Sequence, residues 1–205
     1  MSVQYTNRTG KIYYLREGKT KTGKPRYFFS AQLEGKGVAV EDIPKGYEVY
    51  EHPENAQVFL RKTRPQLITD IEKHLVEQSA QKLSSSKRYR VDYKAEFITI
   101  YESDLDTDNL KSIFGHLRKN IPLRPGVNAG EALNALVSAS DHYYTARLRF
   151  RLVDKENRKF LAERFCCRSS IDDWIHLDGP DNLKNLSKKY MKLLGTDEFF
   201  DTPYF

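Results

Sequence analysis

No stretch of this sequence holds more than four consecutive apolar residues; the longest is Ile12-Tyr13-Tyr14-Leu15. A membrane-spanning helix needs about 20 such residues, and the core of a cleaved secretion signal about 7–15. The expectation is therefore a cytoplasmic protein with no membrane partner. Short segments of this kind favour half-buried strands and helices with one apolar face. Leu, Ile, Val and Phe still make up 51 of the 205 residues, above the roughly 20% below which a chain fails to support a packed core. The two cysteines, Cys166 and Cys167, are adjacent. Neighbouring Cα atoms lie too close for relaxed disulfide geometry, in keeping with a reducing compartment.

Alternation of apolar and polar residues marks the strands. Lys11–Thr20 and Pro25–Leu33 read as a hairpin around Gly23, and Tyr47–Glu51 and Gln57–Lys62 as a second pair around His52-Pro53-Glu54-Asn55. Arg88–Lys94 with Glu96–Glu102, and Tyr144–Val153 with Lys159–Arg168, continue the pattern. Helical spacing appears after Thr69-Asp70-Ile71-Glu72, which fits a capping box and leads into a stripe of Ile68, Ile71, Leu75 and Val76. It appears again behind Asp108 with Leu110, Ile113, Phe114 and Leu117, and over Ala129–Ser138. A last helix follows Asp178-Gly179-Pro180-Asp181, with Leu183, Leu186, Tyr190 and Leu193 on one face and Gly195 at its end. The acidic run at 104–108 suggests a division into subdomains 1–103 and 104–205. The expected fold class is α+β: antiparallel β-hairpins packed against three or four helices, in two subdomains.

The charge is segregated. The net charge is +6 overall, but residues 1–36 carry eight basic residues against Glu17 and Glu34, and residues 147–168 carry eight against three. In the first island Lys19, Lys21, Lys24 and Arg26 surround a turn beside Tyr13, Tyr14, Tyr27, Phe28 and Phe29. Cations that grip phosphates next to rings that stack bases are the logic of single-strand binding. In the second island Arg147, Arg149 and Arg151 alternate with Leu148, Phe150 and Leu152, which puts three guanidinium groups on one face of a strand. Arg164 and Arg168 on the returning strand would join them if the register allows. Like charges this close repel unless phosphates neutralise them or acidic neighbours such as Glu163 and Asp173 do so.

Catalytic constellations are sparse. Asp172-Asp173-x-x-His176 would share a face on a helical turn and hold a divalent metal with a third ligand such as Asp178. Asp92-Tyr93-Lys94 matches the Asp-x-Lys triplet of metal-dependent nucleases, with Glu72 and Glu77 on the preceding helix as the nearest acidic partners. Asp141-His142 has no nucleophile in a nucleophile-elbow context. Zinc-finger spacing, RNP signatures and glycine-rich nucleotide loops are missing from the sequence.

Thr20-Lys21-Thr22-Gly23-Lys24-Pro25-Arg26-Tyr27-Phe28-Phe29-Ser30, with Gly46–Glu51 and Ala56–Arg61, resembles the opening of a group of uncharacterised bacterial proteins over residues 10–80. The resemblance implies a bacterial cytoplasmic setting and brings no activity. The leading expectation is non-catalytic nucleic-acid binding, without cofactor or metal, through Lys19, Lys21, Lys24, Arg26, Arg147, Arg149, Arg151, Arg164 and Arg168. The alternative is a protein-interaction module that recognises an acidic partner and self-associates through its acidic, aromatic tail. A metal-dependent nuclease built on Asp92 and Lys94 comes third.

Overall fold

Alternation becomes strand almost everywhere it occurs. The computed structural model describes residues 2–83, 88–105, 112, 115–116, 130–131, 143–168 and 171–201, with only the backbone of residues 167, 168 and 171. The chain divides into two units, Met1–Arg64 and Pro65–Phe205.

In the first unit β2 (Ile12–Lys19) is central. It pairs antiparallel with β3 (Pro25–Ser30) on one edge and with β1 (Gln4–Thr6) and β4 (Val38–Ala39) on the other. A two-stranded sheet of β5 (Tyr47–Glu51) and β6 (Val58–Lys62) completes it. Its apolar core is small: Leu15, Ala56 and Val58 are buried. Buried polar groups do much of the fastening. The Arg16 guanidinium donates to the carbonyls of Leu33 (2.6 Å), Gly35 (3.1 Å), Lys36 (2.9 Å) and Gly37 (2.8 Å), drawing the 33–37 loop around one side chain. Arg8 bonds Glu51 at 2.8 Å and the carbonyls of His52 and Pro53. Because a buried polar group without partners costs about 1–3 kcal/mol, these satisfied arginines define the loops as firmly as apolar packing would.

The second unit is a five-stranded antiparallel meander in the order β11-β10-β9-β8-β7, built from β7 (Tyr89–Lys94), β8 (Phe97–Ser103), β9 (Tyr144–Asp154), β10 (Lys159–Arg168) and β11 (Ile171–Asn182). Ile98, Ile100, Leu148, Phe150, Leu152, Phe160, Ala162 and Leu177 face one way. Helix α1 (Asp70–Leu83) and helix α2 (Leu183–Tyr190) cover them with Val76, Ala80, Leu183, Leu186 and Tyr190. Each fully buried aliphatic or aromatic side chain here contributes about 1.5–3 kcal/mol. The capping box forms: Thr69 N–H donates to Glu72 at 2.8 Å, and Glu72 N–H reaches the Thr69 hydroxyl at 3.4 Å. Asn182 caps α2 by accepting from Asn185 N–H at 2.9 Å. A 3-10 turn (Met191–Leu193) and helix α3 (Glu198–Asp201), with Phe199 buried, follow. Gly179 lies in β11 beside a register shift on β10; its φ is +109°, and a Cβ there would meet Phe160 O at 2.5 Å.

These observations correct the expected fold class. The protein is mostly β, 45% strand and 21% helix, with three antiparallel sheets and three short helices among the described residues, not hairpins against three or four helices. Two causes stand out. The first unit has no helix among its described residues, so buried arginines and sheet contacts take the place of a helical layer. Residues 171–182, where the sequence predicts a helical turn over Asp172–His176 and a helix start at Asp178–Asp181, instead form a 12-residue strand whose Ile175 and Leu177 alternate with Trp174 and His176. Of the helices expected behind Asp108 and over Ala129–Ser138 only residues 112, 115, 116, 130 and 131 are described, and these are helical; the rest of both segments lies outside the described residues. The division expected near residue 104 falls inside the second unit, where β8 pairs with β9 across it. The α1 stripe is rotated: Ile71 is 82% exposed, and Glu72 is buried in its place.

Candidate functional site

The two basic islands fare differently. In the first unit, β2 and β3 end in a tight turn fixed by Thr20. Its N–H donates to Lys24 O at 2.8 Å, its carbonyl accepts from Gly23 N–H at 2.9 Å, and its hydroxyl accepts from Lys24 N–H at 3.1 Å. The register sets Gly18 opposite Arg26 and Lys19 opposite Pro25. Lys19, Lys21, Lys24 and Arg26 are all exposed around this turn. No ion pair holds any of them among the described residues. The neighbouring rings Tyr13, Tyr14, Tyr27, Phe28 and Phe29 are half-buried. The Tyr27 phenol is pushed above its usual value by desolvation and by the adjacent Glu17 carboxylate.

In the second unit the arginines of β9 are committed to neighbours. Leu148, Phe150 and Leu152 are buried as alternation requires, and Arg149 and Arg151 lie on the opposite face. Both meet Glu163, which is 5% exposed: Arg149 Nε donates at 2.6 Å, and Arg151 Nε lies 3.2 Å away. Arg149 is also layered between rings, its Cζ 4.2 Å from the Trp174 centroid and 4.6 Å from that of Phe97. Arg147 departs from the row. A register shift between Ile100 and Tyr101 turns it to Glu102, where Nε donates at 3.1 Å, and to the Phe200 ring of α3 at 5.9 Å. Arg164 pairs in register with Leu148, hence on the core side of the sheet. It is 3% exposed and donates to Phe199 O at 2.5 Å. The side chain of Arg168 lies outside the described residues. Of the four arginines whose side chains are described, only Arg149 and Arg151 share a surface; Arg147 and Arg164 are directed elsewhere. Glu102, which also accepts from Arg88 at 2.9 Å, is a partner that alternation within Tyr144–Val153 and Lys159–Arg168 does not reveal, because it lies on β8, the other neighbour of β9.

The metal and nuclease constellations do not assemble. On an extended strand Asp172 and His176 stand about 13 Å apart along the chain, and Asp173 points to the other face. Asp178 is occupied by Lys189 at 2.6 Å and the Tyr190 hydroxyl at 3.0 Å; the lysine bond chiefly holds its carboxyl below the usual range. Glu77 accepts from the Tyr93 hydroxyl at 2.9 Å, and Glu72 from Arg158. Tyr93 alternates with Asp92 on β7, so neither helix carboxylate joins Asp92. Among the described residues no three His, Cys, Asp or Glu side chains cluster as a metal site. Asp141-His142 falls outside the described residues. In comparison with known proteins, the chain matches no family model, no curated protein and no solved structure.

Proposed function

We propose that the protein binds nucleic acid without catalysis, through phosphate contacts from Lys19, Lys21, Lys24 and Arg26 at the hairpin tip of its first unit. The observation that supports this reading is the contrast between the two islands: four exposed cations at one turn with no ion pair among the described residues, against Arg147, Arg149, Arg151 and Arg164, which already hold carboxylates or carbonyls. Residues 1–64 carry twelve basic and seven acidic residues, so nearly all of the net +6 belongs to the first unit. A guanidinium already paired with a buried carboxylate gains little from a phosphate, whereas a solvated lysine releases a phosphate counterion on contact. With the nearby rings half-buried, base stacking is subordinate and sequence preference weak.

Fluorescence anisotropy with labelled single-stranded and duplex oligonucleotides at rising salt tests this. Four phosphate contacts correspond to a log–log slope of about −3.6 on duplex, or a loss of ~150-fold between roughly 50 and 200 mM salt. Replacing the four side chains with alanine should remove most of that slope. Binding indifferent to salt, absent at low salt, or unchanged in the alanine variant overturns the reading.

A further inference from the structure

The rotation of α1 leaves an apolar furrow of about 850 Å³ between α1 and the α2–3-10 segment of the second unit. Ile71 and Leu75 supply one wall and Met191 the other. Ile71 is the most exposed large hydrophobic side chain among the described residues. An isoleucine in this position loses about 1.5–3 kcal/mol of burial it would gain under cover. The second wall is unusual in its charge. Lys184, Lys188 and Lys192 recur every fourth residue along it, and Lys82 joins them from α1. No ion pair engages these four among the described residues. Among the described residues the one carboxylate lining the furrow, Asp70, is already bonded to Lys73 at 2.9 Å.

The arrangement distinguishes between occupants. Lys184 and Lys188 stand about 6 Å apart along the axis of α2, and Lys192 in the 3-10 turn extends the row to roughly 12 Å. An anionic amphiphile such as a fatty acid carries its charge at one end and would use one or two of these lysines. A helix with leucines on one face and carboxylates at four-residue spacing along its flank satisfies the whole row while filling the furrow. We infer that this furrow docks an acidic amphipathic helix of a partner protein, apolar face against Ile71, Leu75 and Met191 and acidic flank along Lys184, Lys188 and Lys192. The site lies in the second unit and does not depend on the hairpin of the first.

The test is anisotropy of a labelled peptide of roughly 16 residues, leucines on one helical face and glutamates beside them, against the full chain. Saturable binding is expected, at least ~10-fold tighter than to a scrambled peptide of the same composition. Ile71→Glu should weaken it ~10-fold or more, Lys188→Glu several-fold, and Lys21→Glu at the hairpin not at all. Both furrow substitutions replace exposed side chains, and far-UV circular dichroism confirms that the variants are folded. Equal binding of the scrambled peptide, or affinity unmoved by Ile71→Glu and Lys188→Glu, overturns the proposal. So does a full-chain dimer in light scattering that Ile71→Glu dissociates, since a second copy would then be the occupant. Ile71-dependent binding of oleate without binding of the peptide overturns it as well.

Discussion

Glu163→Gln tests whether the second basic island is an internal fastening. The carboxylate is nearly inaccessible and faces Arg149 and Arg151 together. Removing its charge leaves two guanidinium groups without a counterion, but the two contribute unequally. The Arg151 side chain is 41% exposed and rehydrates, so its share falls in the 0–1 kcal/mol range of surface pairs. The Arg149 side chain is 19% exposed and wedged between Phe97 and Trp174, where breaking a buried pair costs about 3–5 kcal/mol. Glutamine keeps an acceptor in place, which recovers part of this, and a net loss of about 2–3 kcal/mol results. At roughly 3 °C per kcal/mol for a unit of this size, the melting temperature should fall ~6–9 °C. Trp174 is the only tryptophan, so its fluorescence follows the affected contact directly. A loss below about 0.5 kcal/mol would refute the buried-pair reasoning. The same variant also interrogates the function. If Arg149 and Arg151 were a phosphate-binding face held in check by Glu163, freeing them would raise oligonucleotide affinity; the structural role requires affinity within about twofold of wild type.

Three further outcomes follow from local geometry. Gly179→Ala forces a Cβ against Phe160 O at a left-handed φ, and should cost about 2–4 kcal/mol in urea denaturation or abolish soluble expression; a wild-type midpoint would show that β11 bends differently. Phe150→Ala empties the centre of the sheet–helix core and should destabilise the second unit by about 3–5 kcal/mol, read from the same Trp174 transition. For Glu72, burial raises the carboxyl pKa, but bonds from Arg158 and Thr69 outweigh it and hold the group below 4.5. Because the folded value is depressed, its contribution is complete above that pH and is lost as the pH falls below it. Thermal melts of Glu72→Gln from pH 7 to 3 should therefore show a flatter acid limb than wild type, and an identical limb would exclude this carboxylate as a source of acid sensitivity.

Much of the fold was legible because it is written in period two. Tyr144–Val153 and Lys159–Arg168 match β9 and β10 to within a residue, and the Thr69–Glu72 box marks the start of α1. What escaped was decided by partners distant in sequence. β11 carries Asp172, Asp173, Asp178 and Asp181, which read as turn and cap residues until β10 supplies a strand to pair with. Ile71 looks like a core residue by spacing, yet Arg158, 86 residues away, draws Glu72 inward and turns Ile71 out. Arg147 fits the alternation perfectly and still leaves its row, because the register shift that re-aims it depends on β8. The hairpin-tip cations were legible for the opposite reason: their surroundings are local.

The two islands differ in residue type, and that difference explains their fates. Of the eight basic residues in 147–168 six are arginines, whereas five of the eight in 1–36 are lysines. A planar guanidinium with five donors can satisfy several buried acceptors at once; an ammonium has three donors and is more strongly hydrated. Accordingly Arg8, Arg16, Arg61, Arg88, Arg149, Arg158 and Arg164 hold carboxylates or carbonyls, while the hairpin and the α2 furrow present mainly lysines to solvent. Arg16 offers the sharpest test. It is 7% exposed and makes four hydrogen bonds to the 33–37 carbonyls, more than a lysine could make. Arg16→Lys retains the charge but leaves at least one of the four loop carbonyls without its donor; because residues 33–37 are exposed and water can replace it, the loss is that of a net hydrogen bond, about 0.5–1.5 kcal/mol. Urea denaturation should show that loss, and amide exchange across residues 33–37 should accelerate. Lys21→Arg at the hairpin tip should leave both stability and oligonucleotide affinity within about twofold of wild type, because a solvated phosphate contact needs charge rather than a fork. If Arg16→Lys were as stable as wild type, donor geometry would not be what separates the buried arginines from the exposed lysines.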